Sequence, residues 1–278
     1  MPTMESFRMQ VRFWGVRGSI PAPGPATSGF GGNTSCVEIV APGAREALVF
    51  DAGSGIRALG YDLLRRPAPP GGVHLVFTHF HWDHVQGLPF FPPLFREDGA
   101  VHFHATCEPG ELQHILEAQM RPPYFPFALD ATPGRKTFSR LESGCSLDGV
   151  GVEPFPLRHP QPCSGYRIAA GGAVAVYATD TELGDPQYDG TLIDHCRGAD
   201  VLICDAQNTV DEEDRRRGWG HSSWRQAAAI AAEAGVGELV LFHHDPGRTD
   251  AEVDDIVLAA RAHFPRTRGA REGEVLAL

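Results

Sequence analysis

The chain has 278 residues, 42% of them hydrophobic and 21% charged, which excludes a disordered or fibrous protein and suits one large globular domain over residues 1–278. Lysine and arginine number 24 against 35 acidic residues, a net charge of −11, so a global basic surface for nucleic acid is excluded. No apolar run approaches the ~18 residues a membrane span needs, residues 1–8 lack the apolar core of a secretory signal, and the six cysteines form no CxxC pair, so a cytoplasmic protein with free thiols and no membrane partner is expected.

Residues 10–14 alternate and predict a strand, followed by a Gly- and Pro-rich loop over 15–33. Residues 36–40 and 47–51 predict two strands joined by a turn at Pro42-Gly43. Ile56, Leu59, Leu63 and Leu64 recur at helical spacing, giving a helix over 55–66 that stops before Pro67. An apolar strand over 73–77 then runs into a turn over 78–84. Further strands are predicted near 101–105, 150–157, 165–169 and 173–178, with a helix over 108–120. Residues 121–133 carry Pro-Pro-Tyr-Phe-Pro-Phe and predict an ordered loop. A short strand falls at 201–204. Ser223 to Gln226 is a capping box opening an Ala-rich helix that Gly235 ends, and a strand follows at 239–242. Thr249 to Glu252 is a second capping box, before a helix with Val253, Ile256, Val257 and Ala260 on one face; apart from that helix, a single strand is expected after His243. No repeat or linker interrupts this order, and the mixture of strands and helices in both halves predicts a layered α/β domain.

The strongest chemical signal is Thr78-His79-Phe80-His81-Trp82-Asp83-His84. Three imidazoles and a carboxylate within six residues, directly after an apolar strand, suit a transition metal that prefers nitrogen and oxygen donors. The turn can aim His79 and His81 at one ion and Asp83 and His84 at a neighbour. Further donors follow apolar runs elsewhere: His159, Asp180, Asp205 and His243. A strand end is where a rigid sheet positions loop chemistry.

The order HxHxDH, then His159, Asp180 and His243, resembles the metallo-β-lactamase-fold hydrolases. That resemblance implies a four-layer αββα sandwich with a dinuclear site. His79, His81 and His159 would hold one divalent ion, Asp83, His84 and His243 the other, and Asp180 would bridge them. Zinc is the expected metal, with manganese or iron as alternatives. His244 stands as the alternative to His243, because neighbouring residues after a strand end at Phe242 point oppositely.

Residues 179–182, 204–207 and 218–222 look like the ribonuclease Z and cyclic nucleotide phosphodiesterase branch, in which a carboxylate orients a histidine beside the leaving oxygen. Asp205 and His221 occupy those positions, and Asp83, Asp205 and His221 are the expected catalytic side chains. Residues 29–36 and 81–89 resemble the class II cyclic nucleotide phosphodiesterases. The expected activity is therefore hydrolysis of a small phosphodiester, a 3′,5′-cyclic nucleotide first, by a hydroxide held between the ions with His221 as proton donor. The alternatives are a ribose cyclic phosphate phosphodiesterase, a ribonuclease Z-like nuclease, a thioesterase, or a non-catalytic metal-binding nucleotide sensor. A tRNA partner is not expected, because the chain has one lysine, Lys136, and no basic arm. A homodimer is compatible with the sequence. Asn33, Thr34 and Ser35 could present N–H groups and hydroxyls to a phosphate or support the metal floor. Tyr124 and Phe125 could stack on a base or pack on the protein's own surface.

Overall fold

The computed structural model describes residues 8–66 and 71–278. Two seven-stranded sheets form its centre. The first holds β1 (Gln10–Gly15), β2 (Cys36–Val40), β3 (Ala47–Phe50), β4 (Val73–Val76), β5 (Ala100–Ala105) and β6 (Arg135–Arg140) in chain order. The second holds β7 (Cys145–Leu147), β8 (Val150–Leu157), β9 (Cys163–Ala170), β10 (Ala173–Ala178), β11 (Val201–Asp205), β12 (Glu238–Phe242) and β13 (Thr267–Gly269), also in chain order. A last strand, β14 (Val275–Ala277), returns to pair antiparallel with β1. Within each sheet one run of four strands is parallel, β3 to β6 and β10 to β13, and the others pair antiparallel.

Six helices cover the outer faces: α1 (Ile56–Arg65), α2 (Trp82–Val85), α3 (Pro109–Gln119), α4 (Pro186–Cys196), α5 (Trp224–Ala234) and α6 (Asp250–Arg261). Buried apolar side chains fall into three separate layers. Phe13, Phe50, Tyr166, Tyr177 and Phe242 lie between the sheets. Leu59, Leu63, Leu75 and Leu112 lie between the first sheet and its helices, and Leu192, Leu202, Ala231 and Val253 lie under α4, α5 and α6. Three apolar layers require four layers of structure, and the αββα sandwich expected from the sequence is what they form.

The capping boxes at Ser223 and Thr249 are both present, and Gly235 closes α5 in the left-handed region at φ 68°. Residues 121–133 contain turns and no regular element. Several elements differ from the sequence expectation. The strand expected over 47–51 ends at Phe50 because Asp51 turns left-handed, at φ 62°. The turn over 78–84 contains the helical turn α2. β6, β7 and α4 were not expected, and two strands rather than one follow α6, one on each sheet.

Candidate metal centre

The donors converge because the C-terminal ends of β4, β10, β11 and β12 meet at one rim of the sandwich. Asp180 (φ 56°) and His243 (φ 60°) each leave their strand in the left-handed region, as Asp51 does. Such backbone costs a non-glycine residue of order 1–3 kcal/mol, and it turns each side chain inward. His79, Asp83, His84, Asp180 and His243 are all at least 95% buried, while His81 is exposed at the mouth.

The ligand atoms fall into the two expected groups. His81 Nδ1 lies 3.1 Å from His79 Nε2 and 3.0 Å from His159 Nε2. Asp83 Oδ2 lies 3.3 Å from His84 Nε2 and 3.1 Å from His243 Nε2. Asp180 stands between the groups, with Oδ2 3.2 Å from His84 Nε2 and 3.3 Å from His243 Nε2, and Oδ1 3.9 Å from His79 Nε2.

The outer nitrogen of each buried ring decides what the inner one presents. His159 Nδ1 meets the Gly220 carbonyl at 3.0 Å, and His243 Nδ1 meets Gln207 Oε1 at 2.9 Å. Both oxygens only accept, so each Nδ1 carries the proton and each Nε2 turns a lone pair inward. His84 Nδ1 likewise donates to Asp51 Oδ2 at 2.9 Å, and His84 Nε2 is buried with no hydrogen-bond partner. Lone pairs facing one another at about 3 Å, with an orphaned imidazole nitrogen beside two carboxylates, fit a cation in each group.

Charge agrees with that fit. Burial pushes His79, His81 and His159 down, so all three are neutral donors. Burial would raise Asp180 and Asp83, but the neighbouring His84 and His243 outweigh it and hold both below the usual carboxylate range. Burial would lower His84, and Asp180, Asp83 and Asp51 reverse that. The carboxylates that hold a proton on His84 would hold a dication in its place.

Beside this centre, His221 Nδ1 donates to Asp205 Oδ2 at 2.8 Å and lies 3.9 Å from Asp180 Oδ1. Asp205 is fully buried, and its oxygens also accept from the amides of Asp180, Gln207 and Ser222. Burial works against a charged His221, but Asp205 and then Asp180 push its pKa up to about 9.

Three orienting groups escaped the sequence reading: Asp51, Gln207 and the Gly220 carbonyl. Asp51 holds His84 while accepting from Thr78 and, at 3.1 Å, from Tyr177 Oη. The available signal was position, since Asp51 follows an apolar strand just as Asp180, Asp205 and His243 do. His244 points away from the site. Its Nε2 donates to the Ala270 carbonyl at 3.0 Å and its ring meets Phe30 edge-on.

Asn33, Thr34 and Ser35 are not brought to the open face. Thr34 and Ser35 are fully buried, and Asn33 is tied to Glu272 and Ser54. Thr34 Oγ1 accepts from the Ser54 amide and from Gln86. Thr34 and Ser35 thus lie beneath the surface, and Asn33 is half-buried. Tyr124 is 79% exposed and Phe125 half-buried, outside the donor groups.

Residues 47–244 match the family model described as the Beta-lactamase superfamily domain. Ribonuclease BN of Erwinia tasmaniensis is 24% identical over 291 residues, covering 86% of this chain and 92% of that protein. Among solved structures, the metallo-beta-lactamase fold protein YhfI from Bacillus subtilis superposes with a TM-score of 0.72 at 20% identity, covering 98% of this chain and 99% of that one. A diphosphatase from the PhnP family gives 0.71 at 17% identity, covering 98% of each chain. Among the described residues, no helix is long and apolar enough to cross a membrane.

Proposed function

The chain belongs to the family of the Beta-lactamase superfamily domain, and from that premise we propose that this hydrolase is a dinuclear metal-dependent phosphodiesterase acting on a small phosphodiester, a 3′,5′-cyclic nucleotide first. His79, His81 and His159 would hold one ion and Asp83, His84 and His243 the other, with Asp180 shared. Two divalent ions there, zinc by donor chemistry with manganese or iron as alternatives, would supply Lewis acidity toward the phosphoryl oxygens and an activated water.

The observation that carries the reading is the Asp205–His221 pair. Four hydrogen bonds fix Asp205, so His221 Nδ1 has one orientation and its Nε2 is left to hold a proton beside the centre. A carboxylate-backed imidazolium suits the departure of a poor leaving alkoxide, a proton that the thiolate of a thioester does not need. Asp83, a donor in the second group, also accepts from the Ser19 amide at 2.7 Å, which orders the loop over that face.

A second reading, an RNA phosphodiester, is favoured by the Ribonuclease BN relatives. Against it stand the charge of −11 and the single lysine. The test compares kcat/KM of metal-loaded protein on 3′,5′-cyclic AMP, bis(p-nitrophenyl) phosphate, a tRNA precursor, a glutathione thioester and a β-lactam. Small phosphodiesters should lead by at least about tenfold, or ~1.4 kcal/mol. Efficient thioester turnover without diesterase activity overturns the proposal, and a lead for the tRNA precursor selects the second reading.

A further inference from the structure

We propose that the aromatic groove beside His81 seats a flat, uncharged ring of the substrate, a nucleobase, with Trp82 and Tyr124 as its stacking faces. This rests on the phosphodiesterase reading and adds the part of the substrate that lies beyond the phosphate. Phe80 and Trp82 flank His81, the exposed donor, and both line the groove. Within that turn Asp83 and His84 are buried while Trp82 is exposed, so the groove is lined by the two chain neighbours of His81.

Its shape and chemistry select the occupant. The groove encloses about 530 Å³, within the range of small-molecule clefts. Trp82 is 77% exposed, Tyr124 79% and Phe90 58%, a contiguous aromatic patch left in water. Its walls are already packed: Phe125 meets Phe90 edge-on with ring centres 5.7 Å apart, and Phe80 lies against Phe77 at 5.7 Å. Among the described residues no charged side chain lines the groove, so a second phosphate or a polyanionic backbone would find no counter-charge from them there. Gln86 and Gln119 are the polar side chains of the lining. A flat ring with apolar faces and a polar edge fits that lining.

The test uses metal-loaded protein and two esters, 3′,5′-cyclic AMP and the corresponding ribose cyclic phosphate lacking a base. Trp82→Ala and Tyr124→Ala should each lower the ratio of kcat/KM for the nucleotide over the abasic ester by at least about fivefold, mainly through KM. An unchanged ratio in both variants, with metal content as in the parent, overturns the assignment. If neither ester is hydrolysed, the phosphodiesterase reading fails separately, and the groove is then tested by calorimetric titration with adenosine. Adenosine binding that weakens in Trp82→Ala supports the ring site, and absence of binding overturns it. A dimer of the parent protein that Trp82→Ala dissociates also overturns it, in favour of a second copy as occupant.

Discussion

His221 owes its charge to Asp205, because burial alone would leave the ring neutral. Replacing His221 with alanine should spare metal content yet slow esters with poor leaving groups by about 10² to 10⁴-fold, the usual span of a general acid. The loss on bis(p-nitrophenyl) phosphate should be far smaller, since p-nitrophenolate leaves without a proton. Asp205→Asn should behave alike, and the double variant should lose little more, because the two side chains act as one unit. Equal losses on both esters, or a missing ion, would instead give the pair a structural or binding role. The raised pKa sets a direction with pH: the acid is present at neutral pH and lost as pH rises toward about 9. Cations bound alongside disfavour the imidazolium, so the loaded protein should lose its cyclic-ester rate below that value, while the p-nitrophenyl ester keeps its rate. Asp51 acts one bond further out. Asp51→Ala frees His84 Nδ1 and should weaken the second ion about 10- to 100-fold in a chelator competition, with the first ion held as before. Equal affinity for both ions in parent and variant would remove Asp51 from the metal-orienting role.

The segment over residues 218–222 carries both the carbonyl that orients His159 and the ring of His221. Glu182 Oε2 accepts from the Gly218 and Gly220 amides at 2.6 and 3.1 Å, Gly220 in turn holds His159, and His221 follows. Gly220 sits at φ 86°, and a Cβ there would come within 2.1 Å of His159 Nδ1. Gly220→Ala should therefore displace His159 and empty the first ion site while the fold survives, seen as loss of about one ion per chain at unchanged far-ultraviolet circular dichroism. Full metal content would show that the ring can move aside. Chain order made much of this site visible beforehand, because its donors stand after apolar strands and four of them share one turn. Other parts were hidden for physical reasons. A lone aspartate before Ala52-Gly53-Ser54-Gly55 has the composition of any turn, so Asp51 carried no mark beyond its place after an apolar strand. The choice of His243 over His244 depends on a positive φ that a sequence does not show. β6, with its run Arg-Lys-Thr-Phe-Ser-Arg, is an edge strand with one aromatic and no apolar alternation. Thr34 and Ser35 have the composition of a phosphate loop, and only tertiary packing buries them.

At the scale of the whole molecule, the first sheet carries a pH sensitivity of its own. His104 on β5 is 6% exposed, and burial, then His74 and His102, push its pKa down to about 3. The folded state withholds this proton and the unfolded chain takes it near pH 6.5, so stability is complete above that pH and falls as pH drops toward 3. At pH 5 the cost from this residue alone is about 2 kcal/mol. His104→Leu should flatten the fall of Tm between pH 6.5 and 5, and an unchanged slope would place the sensitivity elsewhere. The sandwich also divides the metal donors unevenly along the chain. His79, His81, Asp83 and His84 are neighbours in sequence, whereas the contact of Asp83 with His243 spans 160 residues. Unfolding separates the distant donors but leaves the local four together, so the denatured chain remains a chelator. Any ion it retains in that state subtracts from the stabilisation gained on folding. The rise of Tm with free zinc should consequently flatten once zinc saturates the unfolded HxHxDH stretch, and continue undiminished in a chain whose denatured state binds none.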